Sequence, residues 1–229
     1  MTRIIVTRSD PGGENFAERL RHQKYDAVSM PILQAEATLN PPPMSLSQMD
    51  GYIVTSVHAL DFADVPDALK KKPLFTVGAA TANHAMAMGW TNIKPGPGDV
   101  QQLADSLPDK KLLHICGEDV VPGTREALKT PYWTVYRTVP TGVHNGLLED
   151  IFKTAGRAII TLHSPRAAAI LQPHVQTYQT RMQDGHIIFL CLSMPVLKSL
   201  GLKPDSTGLY AAAVPTEDAM VEALAGLIS

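Results

Sequence analysis

The sequence is poor in cysteine and carries no excess of positive charge. Its 229 residues include two cysteines, Cys116 and Cys191, and the formal net charge is −2. Each cysteine lies in an apolar run, so we expect two reduced thiols in the core. No cysteine or histidine spacing matches a metal site. The charge excludes the basic field that drives non-specific nucleic-acid binding, and we predict no nucleic-acid partner.

Long hydrophobic segments are also missing. The longest apolar run, 187–197, contains Ser193 and Pro195 and is far shorter than the roughly 20 residues that span a bilayer. Near the start of the sequence, Arg8 interrupts the apolar core that a secretory signal requires. We therefore predict a cytoplasmic protein that does not contact a membrane.

The common catalytic and nucleotide-binding motifs do not occur. The sequence has no GxSxG elbow, no P-loop and no GxGxxG fingerprint. The Gly-Pro-Gly stretch at 96–98 lacks the third glycine of such a fingerprint and indicates a loop. His58, His114 and His163 are scattered along the chain without metal-binding spacing. These absences argue against a serine hydrolase, a P-loop NTPase and a dinucleotide-binding enzyme.

What the sequence does contain is an alternation of strand and helix patterns. Apolar residues make up 45% and charged residues 18%, which is enough apolar surface for a packed core. Short apolar runs alternate with amphipathic segments, as is typical of α/β proteins. Several segments recur roughly half a chain later, which indicates an internal duplication. Strand-like segments 3–8, 51–56 and 74–81 are echoed at 111–118, 158–165 and 188–193.

The loosest, proline-containing segments indicate where the two halves divide. They lie at 29–43 and 132–142, each after a copy of the first repeated segment. Each half is predicted to form a flavodoxin-like parallel sheet, and the β-favouring connections are predicted to pair antiparallel as a two-stranded hinge. The predicted units are a continuous lobe, 39–133, a discontinuous lobe, 1–30 plus 142–229, and connecting strands, 31–38 and 134–141.

Small and hydroxylated residues follow nearly every predicted strand. Ligands bind at the carboxyl ends of the strands in parallel sheets, where helix N-termini offer free N–H groups to anions. The same residue types also serve as ordinary helix caps, so both interpretations stay open. The candidates at these ends are Arg8, Thr55, Ser56, Gly78, Thr81, Gly117, His163, Ser164, Ser193 and Thr216.

Several ordered stretches resemble the uroporphyrinogen-III synthase family. Each stretch alone is a weak signal, and their order and spacing along nearly the whole chain carry the resemblance. They are VTR at 6–8, VTS at 54–56, FTVGAATA at 75–82, VYRTVP at 135–140, LHSPRAA at 162–168 and AVPTEDA at 213–219.

The resemblance implies a fold and an activity. Members of the family have two α/β lobes joined by a two-stranded ladder, with the site in the cleft between them. They close hydroxymethylbilane to uroporphyrinogen III, losing water and inverting the last pyrrole ring, without a metal or organic cofactor. By this resemblance Tyr136 matches the proposed proton donor to the leaving hydroxyl, although a packing role for Tyr136 stays open. Arg8, Arg137 and Arg166 are expected to meet substrate carboxylates.

The sequence also departs from the family pattern. Cys116 stands where many members carry a basic residue, and Val57-His58 replaces a frequent Pro-Arg-like pair. Each change removes an expected carboxylate contact. We expect a monomer whose partner is a linear tetrapyrrole, handed over by hydroxymethylbilane synthase. The alternatives are a non-catalytic two-lobed anion-binding module and an inactive synthase-like protein.

Overall fold

The chain folds into two units, each built around its own β-sheet. The structure is a computed structural model that describes residues 2–142, 156–177 and 179–228. The first unit comprises Met1–Gln34 with Val139–Ser229, and the second comprises Ala35–Thr138. None of the described helices is long and apolar enough to cross a membrane.

The first unit contains a five-stranded sheet in the order β11-β10-β9-β1-β2, whose strand pairs are parallel. Its strands are β1 (Thr2–Val6), β2 (Asp26–Ser29), β9 (Arg157–Leu162), β10 (Ile187–Cys191) and β11 (Leu209–Ala211). Its described helices are α1 (Gly12–His22), α6 (Pro165–Thr177), α7 (Gln179–Gln183), α8 (Met194–Lys198) and α9 (Glu217–Ile228).

The second sheet has six strands in the order β3-β8-β7-β4-β5-β6. Its strands are β3 (Leu33–Ala37), β4 (Gly51–Val54), β5 (Leu74–Thr76), β6 (Ile93–Pro95), β7 (Leu112–Gly117) and β8 (Tyr132–Pro140). The helices of this unit are α2 (Val57–Phe62), α3 (Ala79–Ala87), α4 (Val100–Ser106) and α5 (Thr124–Leu128), with short 3₁₀ turns at Leu46–Gln48 and Asp67–Leu69.

The two sheets share one spatial order once the repeated segments are matched. In the first sheet, β1 lies between β2 and β9, and β10 and β11 follow. In the second sheet, β7 lies between β8 and β4, and β5 and β6 follow. The predicted pair of parallel α/β sheets is confirmed, and the order of the first is that of flavodoxin-like folds. The two units differ in where the chain enters the sheet: it starts the first sheet at β1, whereas it enters the second at the edge strand β3 and then continues at β4.

The two connecting strands pair antiparallel. The Thr38 N–H donates to the Val135 carbonyl oxygen at 3.1 Å, and the Thr141 N–H donates to the Ile32 carbonyl oxygen at 3.1 Å. Residue numbers rise along β3 while they fall along β8, which defines an antiparallel pair. Because β8 also pairs parallel with β7, this ladder is the edge of the second sheet rather than a separate ribbon.

Both faces of the second sheet are covered, which is why its central strands are almost entirely apolar. All four residues of β4 and all six of β7 are buried. On one face, Tyr52 and Leu113 pack in a cluster beneath α2 and α3. On the other face, Ile53 packs with Leu103 of α4 and Leu128 of α5. With both faces filled, the carboxyl ends of the strands are where the sheet can present polar groups to a ligand.

Candidate functional site

A pocket of about 560 Å³ lies at the carboxyl ends of β4, β5 and β7 in the second unit, beside Tyr136 in the middle of β8. The loops that follow these strands and the first turns of α4 and α5 enclose it. The polar and glycine residues among its lining are Thr55, Ser56, Gly98, Asp99, Gln101, Gly117, Asp119, Gly123, Thr124 and Tyr136. Of the predicted site residues, the structure thus brings Thr55, Ser56, Gly117 and Tyr136 together.

A β-bulge places Tyr136 in this pocket. Cys116 pairs with Thr134, but the next residue of β7, Gly117, pairs with Tyr136, so that Val135 is an extra residue on β8. A bulge of this kind breaks the strict alternation of side chains along a strand. As a result, Val135 and Tyr136 both join the cluster on the α2 side of the sheet.

The ring of Tyr136 is held by close packing. A Cβ atom built on Gly117 would lie 2.6 Å from Cζ of Tyr136 and 2.9 Å from its Oη, so only glycine allows the ring this position. From α2, the Phe62 ring stacks on the Tyr136 ring with centroids 5.9 Å apart, and the His58 ring lies at 5.7 Å. The side chain is 8% exposed. The phenol is therefore buried and fixed on three sides.

The environment of Tyr136 keeps its phenol protonated. Burial raises the pKa of Tyr136 above its ordinary value of 10.0, and the neighbouring Cys116 and Asp119 act in the same direction. A hydrogen bond with Ser56 lowers the pKa and offsets part of this effect. At neutral pH the group is a proton donor and not a base.

Thr55 also has a buried partner. Its Oγ1 lies 3.2 Å from Nε2 of His114, which is a central residue of β7 and is 1% exposed. Burial, with a smaller contribution from the Arg125 guanidinium, lowers the pKa of His114 from 6.5 to about 4. The imidazole is thus neutral at physiological pH, and its tautomer decides which of the two groups donates.

The charged groups at the pocket are acidic. Asp99 and Asp119 line it, and Asp99 also accepts a hydrogen bond from the Gln102 N–H at 2.9 Å, capping α4. No lysine or arginine is among the described residues that line the pocket. This charge favours N–H donors and cations over carboxylates.

The other candidates of the second unit lie outside this pocket. Gly78 precedes α3, and Thr81 is buried within that helix. Arg137 follows the bulge and points to the opposite side of β8, where it forms an ion pair with Glu36 at 3.0 Å. It lines a different cavity, of about 420 Å³.

The candidates of the first unit lie at the carboxyl ends of its strands and at helix starts. Ser164 accepts a hydrogen bond from the Ala167 N–H at 3.1 Å, and Thr216 accepts one from the Ala219 N–H at 3.3 Å. Both hydroxyls therefore cap helices. Ser193 precedes α8 and makes no side-chain cap bond.

Arg8 and His163 are neighbours in the first unit. Arg8 forms an ion pair with Glu217 at the start of α9. The ring of His163 lies edge-on to Phe16, with centroids 5.3 Å apart. Among the described residues, neither ring nitrogen of His163 has a hydrogen-bond partner. Burial and the nearby Arg8 lower the pKa of His163 from 6.5 to about 4, so this ring is also neutral.

The chain also matches a known protein family. The sequence profile of the family described as uroporphyrinogen-III synthase HemD matches residues 14–222, nearly the whole chain. The chain belongs to the uroporphyrinogen-III synthase family. The resemblance inferred from the ordered motifs is confirmed, and with it the assignment to tetrapyrrole biosynthesis as a cyclising lyase.

Solved structures show the same fold at low sequence identity. The uroporphyrinogen-III synthetase of Helicobacter pylori is 15% identical, with a TM-score of 0.61 over 99% of this chain and 100% of that chain. A mutant uroporphyrinogen III synthase from the extremely thermophilic bacterium Thermus thermophilus is 14% identical, with a TM-score of 0.50 over 100% of this chain and 99% of that chain. No curated protein sequence matches the chain.

Within the described ranges, this synthase has no group of three or more histidine, cysteine or acidic residues arranged to hold a metal ion. Both cysteines are free and buried, as expected.

Sequence reasoning missed two residues of the site in this synthase. By sequence, His114 is one of several scattered histidines, and Asp119 does not stand out. The signal for His114 is its place as the one polar residue between Leu112 and Cys116, since a polar side chain in a fully buried strand needs a hydrogen-bond partner.

Substitution of Gly117 tests how the synthase positions Tyr136. In Gly117→Ala the added methyl group must displace the tyrosine ring, and we expect kcat to fall by about 10²-fold while the fold persists. Gly226→Ala in α9 is the control, because a Cβ there meets nothing within 4 Å. Steady-state kinetics and circular dichroism give the comparison. Full activity of Gly117→Ala would show that the close contact is dispensable.

The pKa of His163 makes the stability of the synthase depend on pH. Between about pH 6.5 and 4 the unfolded chain binds a proton that the folded chain does not, so stability falls as the pH is lowered through this window. The full loss is on the order of 3 kcal/mol. Because the pKa of the buried His114 is lowered over the same window, we expect His163→Leu to weaken this dependence without abolishing it in thermal unfolding at several pH values, whereas the exposed His22→Asn leaves it unchanged. Parallel curves for wild type and His163→Leu would contradict the assignment.

Proposed function

We propose that this chain converts hydroxymethylbilane to uroporphyrinogen III and that Tyr136 is its general acid. The observation that supports this most directly is a protonated, buried phenol held beside the carboxyl ends of β4 and β7 in a chain of the synthase family. The reaction removes water from the bilane and inverts its last pyrrole ring.

In the first step the phenol of Tyr136 gives its proton to the hydroxyl of the terminal hydroxymethyl group. The C–O bond breaks and water leaves. The lone pair of the pyrrole nitrogen forms the exocyclic double bond of an azafulvene cation. The charge is balanced, since the tyrosinate takes the negative charge and the azafulvene takes the positive charge. The raised pKa keeps the phenol protonated at physiological pH, so a proton is available to the leaving hydroxyl.

The acidic lining of the pocket suits the cation that forms next. Asp119 lies close enough to Tyr136 to influence its pKa, and the same negative charge favours an azafulvene cation at that place. Because Asp119 is exposed, solvent screens part of this effect. The pocket around Tyr136 therefore fits the reacting ring of the bilane better than its carboxylate arms.

Ring closure then depends on conformation more than on further chemistry. The last ring attacks the cation through its substituted carbon and gives a spiro intermediate, and migration of a bond inverts the ring. Loss of a proton, returned to the tyrosinate, completes the product. The bilane closes by itself to the type I isomer, so the protein has to hold the conformer that leads to type III.

We assign the remaining candidates to binding of the carboxylate arms. Arg8 and Arg137 would exchange Glu217 and Glu36 for substrate carboxylates, and such exchange costs little because exposed ion pairs contribute only about 0–1 kcal/mol. The other proposed contacts are Gly78, Thr81, His163, Ser164, Ser193 and Thr216.

We also propose a cytoplasmic monomer that receives its substrate from hydroxymethylbilane synthase. The two free thiols fit a reducing compartment. The reactivity of the bilane favours direct hand-over, since free substrate closes to the wrong isomer.

Product analysis tests the activity. The purified protein is incubated with freshly generated hydroxymethylbilane, and the type I and type III isomers are separated after oxidation to porphyrins. We expect type III to dominate and to increase with enzyme concentration. Type I alone, at the rate of the uncatalysed reaction, would identify a binding module or an inactive relative.

Replacement of the phenol tests the acid. Tyr136→Phe keeps the ring that packs on Phe62 but has no proton to give, so we expect kcat to fall by about 10²-fold or more with the fold unchanged. The matched control is Tyr132→Phe on the same strand, since Tyr132 is 45% exposed and lies outside the pocket. Wild-type turnover of Tyr136→Phe would reject the acid role.

A further inference from the structure

His114 is buried without a structural need for an imidazole. Along β7 its side chain faces the same way as Leu112, toward the cluster that contains Leu103 and Leu128. An apolar residue would fill this position at no cost in hydrogen bonding, whereas a buried polar group must be paired. The imidazole is paired with the hydroxyl of Thr55.

Thr55 connects the buried His114 to the pocket. It follows β4 and lines the cavity beside Ser56, Gly117 and Tyr136. A free threonine hydroxyl rotates about its C–O bond and can point its proton in several directions. Contact with Nε2 of His114 at 3.2 Å removes this freedom, because one direction is used for the imidazole.

The neighbouring Ser56 shows the same arrangement. Ser56 is close enough to the buried Tyr136 to lower its pKa, and Thr55 is hydrogen-bonded to the buried His114. Each of the two consecutive hydroxyls at the end of β4 thus neighbours an aromatic group from an adjoining strand, β8 for Ser56 and β7 for Thr55.

We propose that His114 is a positioning residue of the synthase, which fixes the hydroxyl of Thr55 toward the terminal ring of the bilane. His114 lies beneath Thr55 and acts through it. The inference rests on the proposed function, since it concerns the substrate of the same pocket. It adds a residue to the site, and it explains why a polar side chain occupies the centre of a buried strand.

The neutral state of the imidazole fits this role. Its lowered pKa, about 4, means that its hydrogen bond to Thr55 does not change over the physiological range. The Arg125 guanidinium contributes to this shift, because its positive charge disfavours a protonated imidazole nearby.

Three substitutions at position 114 separate positioning from packing. Gln carries an amide at about the place of Nε2 and can replace its hydrogen bond, whereas Asn reaches only the place of Nδ1. Leu fills space without a polar atom. We expect His114→Gln to keep kcat within a few-fold of wild type. His114→Asn and His114→Leu should lose about 10-fold or more in kcat and release a larger fraction of type I isomer.

A double-mutant cycle with Thr55→Val ties the effect to the hydroxyl. Once Thr55 has no hydroxyl to orient, loss of His114 should matter little, so the double variant His114→Leu with Thr55→Val should turn over as fast as Thr55→Val alone. Losses that multiply would overturn the inference. Wild-type activity of His114→Leu or of Thr55→Val would do the same.

A spectroscopic measurement gives a readout that does not depend on turnover. In ¹⁵N-labelled protein, Thr55→Val should shift the Nε2 resonance of His114, and an unchanged resonance would overturn the inference.

Failure of the proposed function gives a different result. In that case wild-type protein yields only the type I isomer, and the inference falls with it. If wild type makes type III and all position 114 variants behave alike, the inference alone is wrong.

Discussion

The site depends on the contact between the bare backbone of Gly117 and the ring of Tyr136. Cζ of Tyr136 occupies space that any β-carbon at position 117 would need, and the bulge between Cys116 and Gly117 turns Tyr136 toward α2. Without the bulge, Tyr136 and Val135 would face opposite sides of β8. With it, the phenol is enclosed by Phe62 and His58 and its pKa is raised. A local irregularity in strand pairing thus produces a buried acid at the edge of a regular sheet.

The regular part of the fold explains why this edge is available. Each sheet is covered on both faces, so polar side chains concentrate where the strands end. Apart from the extra edge strand β3, the two sheets have the same strand order, although the chain starts the first at β1 and, after β3, continues the second at β4. The edge that carries the pocket is built from β4, β7 and β8, and β4 is far from the other two in sequence. Thr55 and Gly117 become neighbours because their strands pair directly.

Charge is distributed in a way that suits a cyclisation through a cation. The pocket around Tyr136 has Asp99 and Asp119 in its lining, whereas Arg137 lies on the other side of β8, paired with Glu36. The buried His114 is neutral at physiological pH. In the proposed mechanism the reacting ring of the bilane would therefore meet a phenol, hydroxyls and negative charge, which fits a reaction that begins with protonation of a leaving hydroxyl and continues through a positively charged ring.

The amino-acid pattern alone was enough to predict the fold class, the repeat and the family, because these depend on the period of apolar residues and on short motifs that keep their order. The strand-end rule also indicated Thr55, Ser56 and Gly117, since residues after parallel strands gather at one edge, and the family resemblance indicated Tyr136. It did not place Tyr136 and Arg137 on different sides of β8, and it did not show that Ser164 and Thr216 already accept helix-capping hydrogen bonds. Those distinctions required the folded chain, because the bulge that orients Tyr136 and the pairing of Thr55 with His114 arise from contacts between strands that local sequence patterns do not encode.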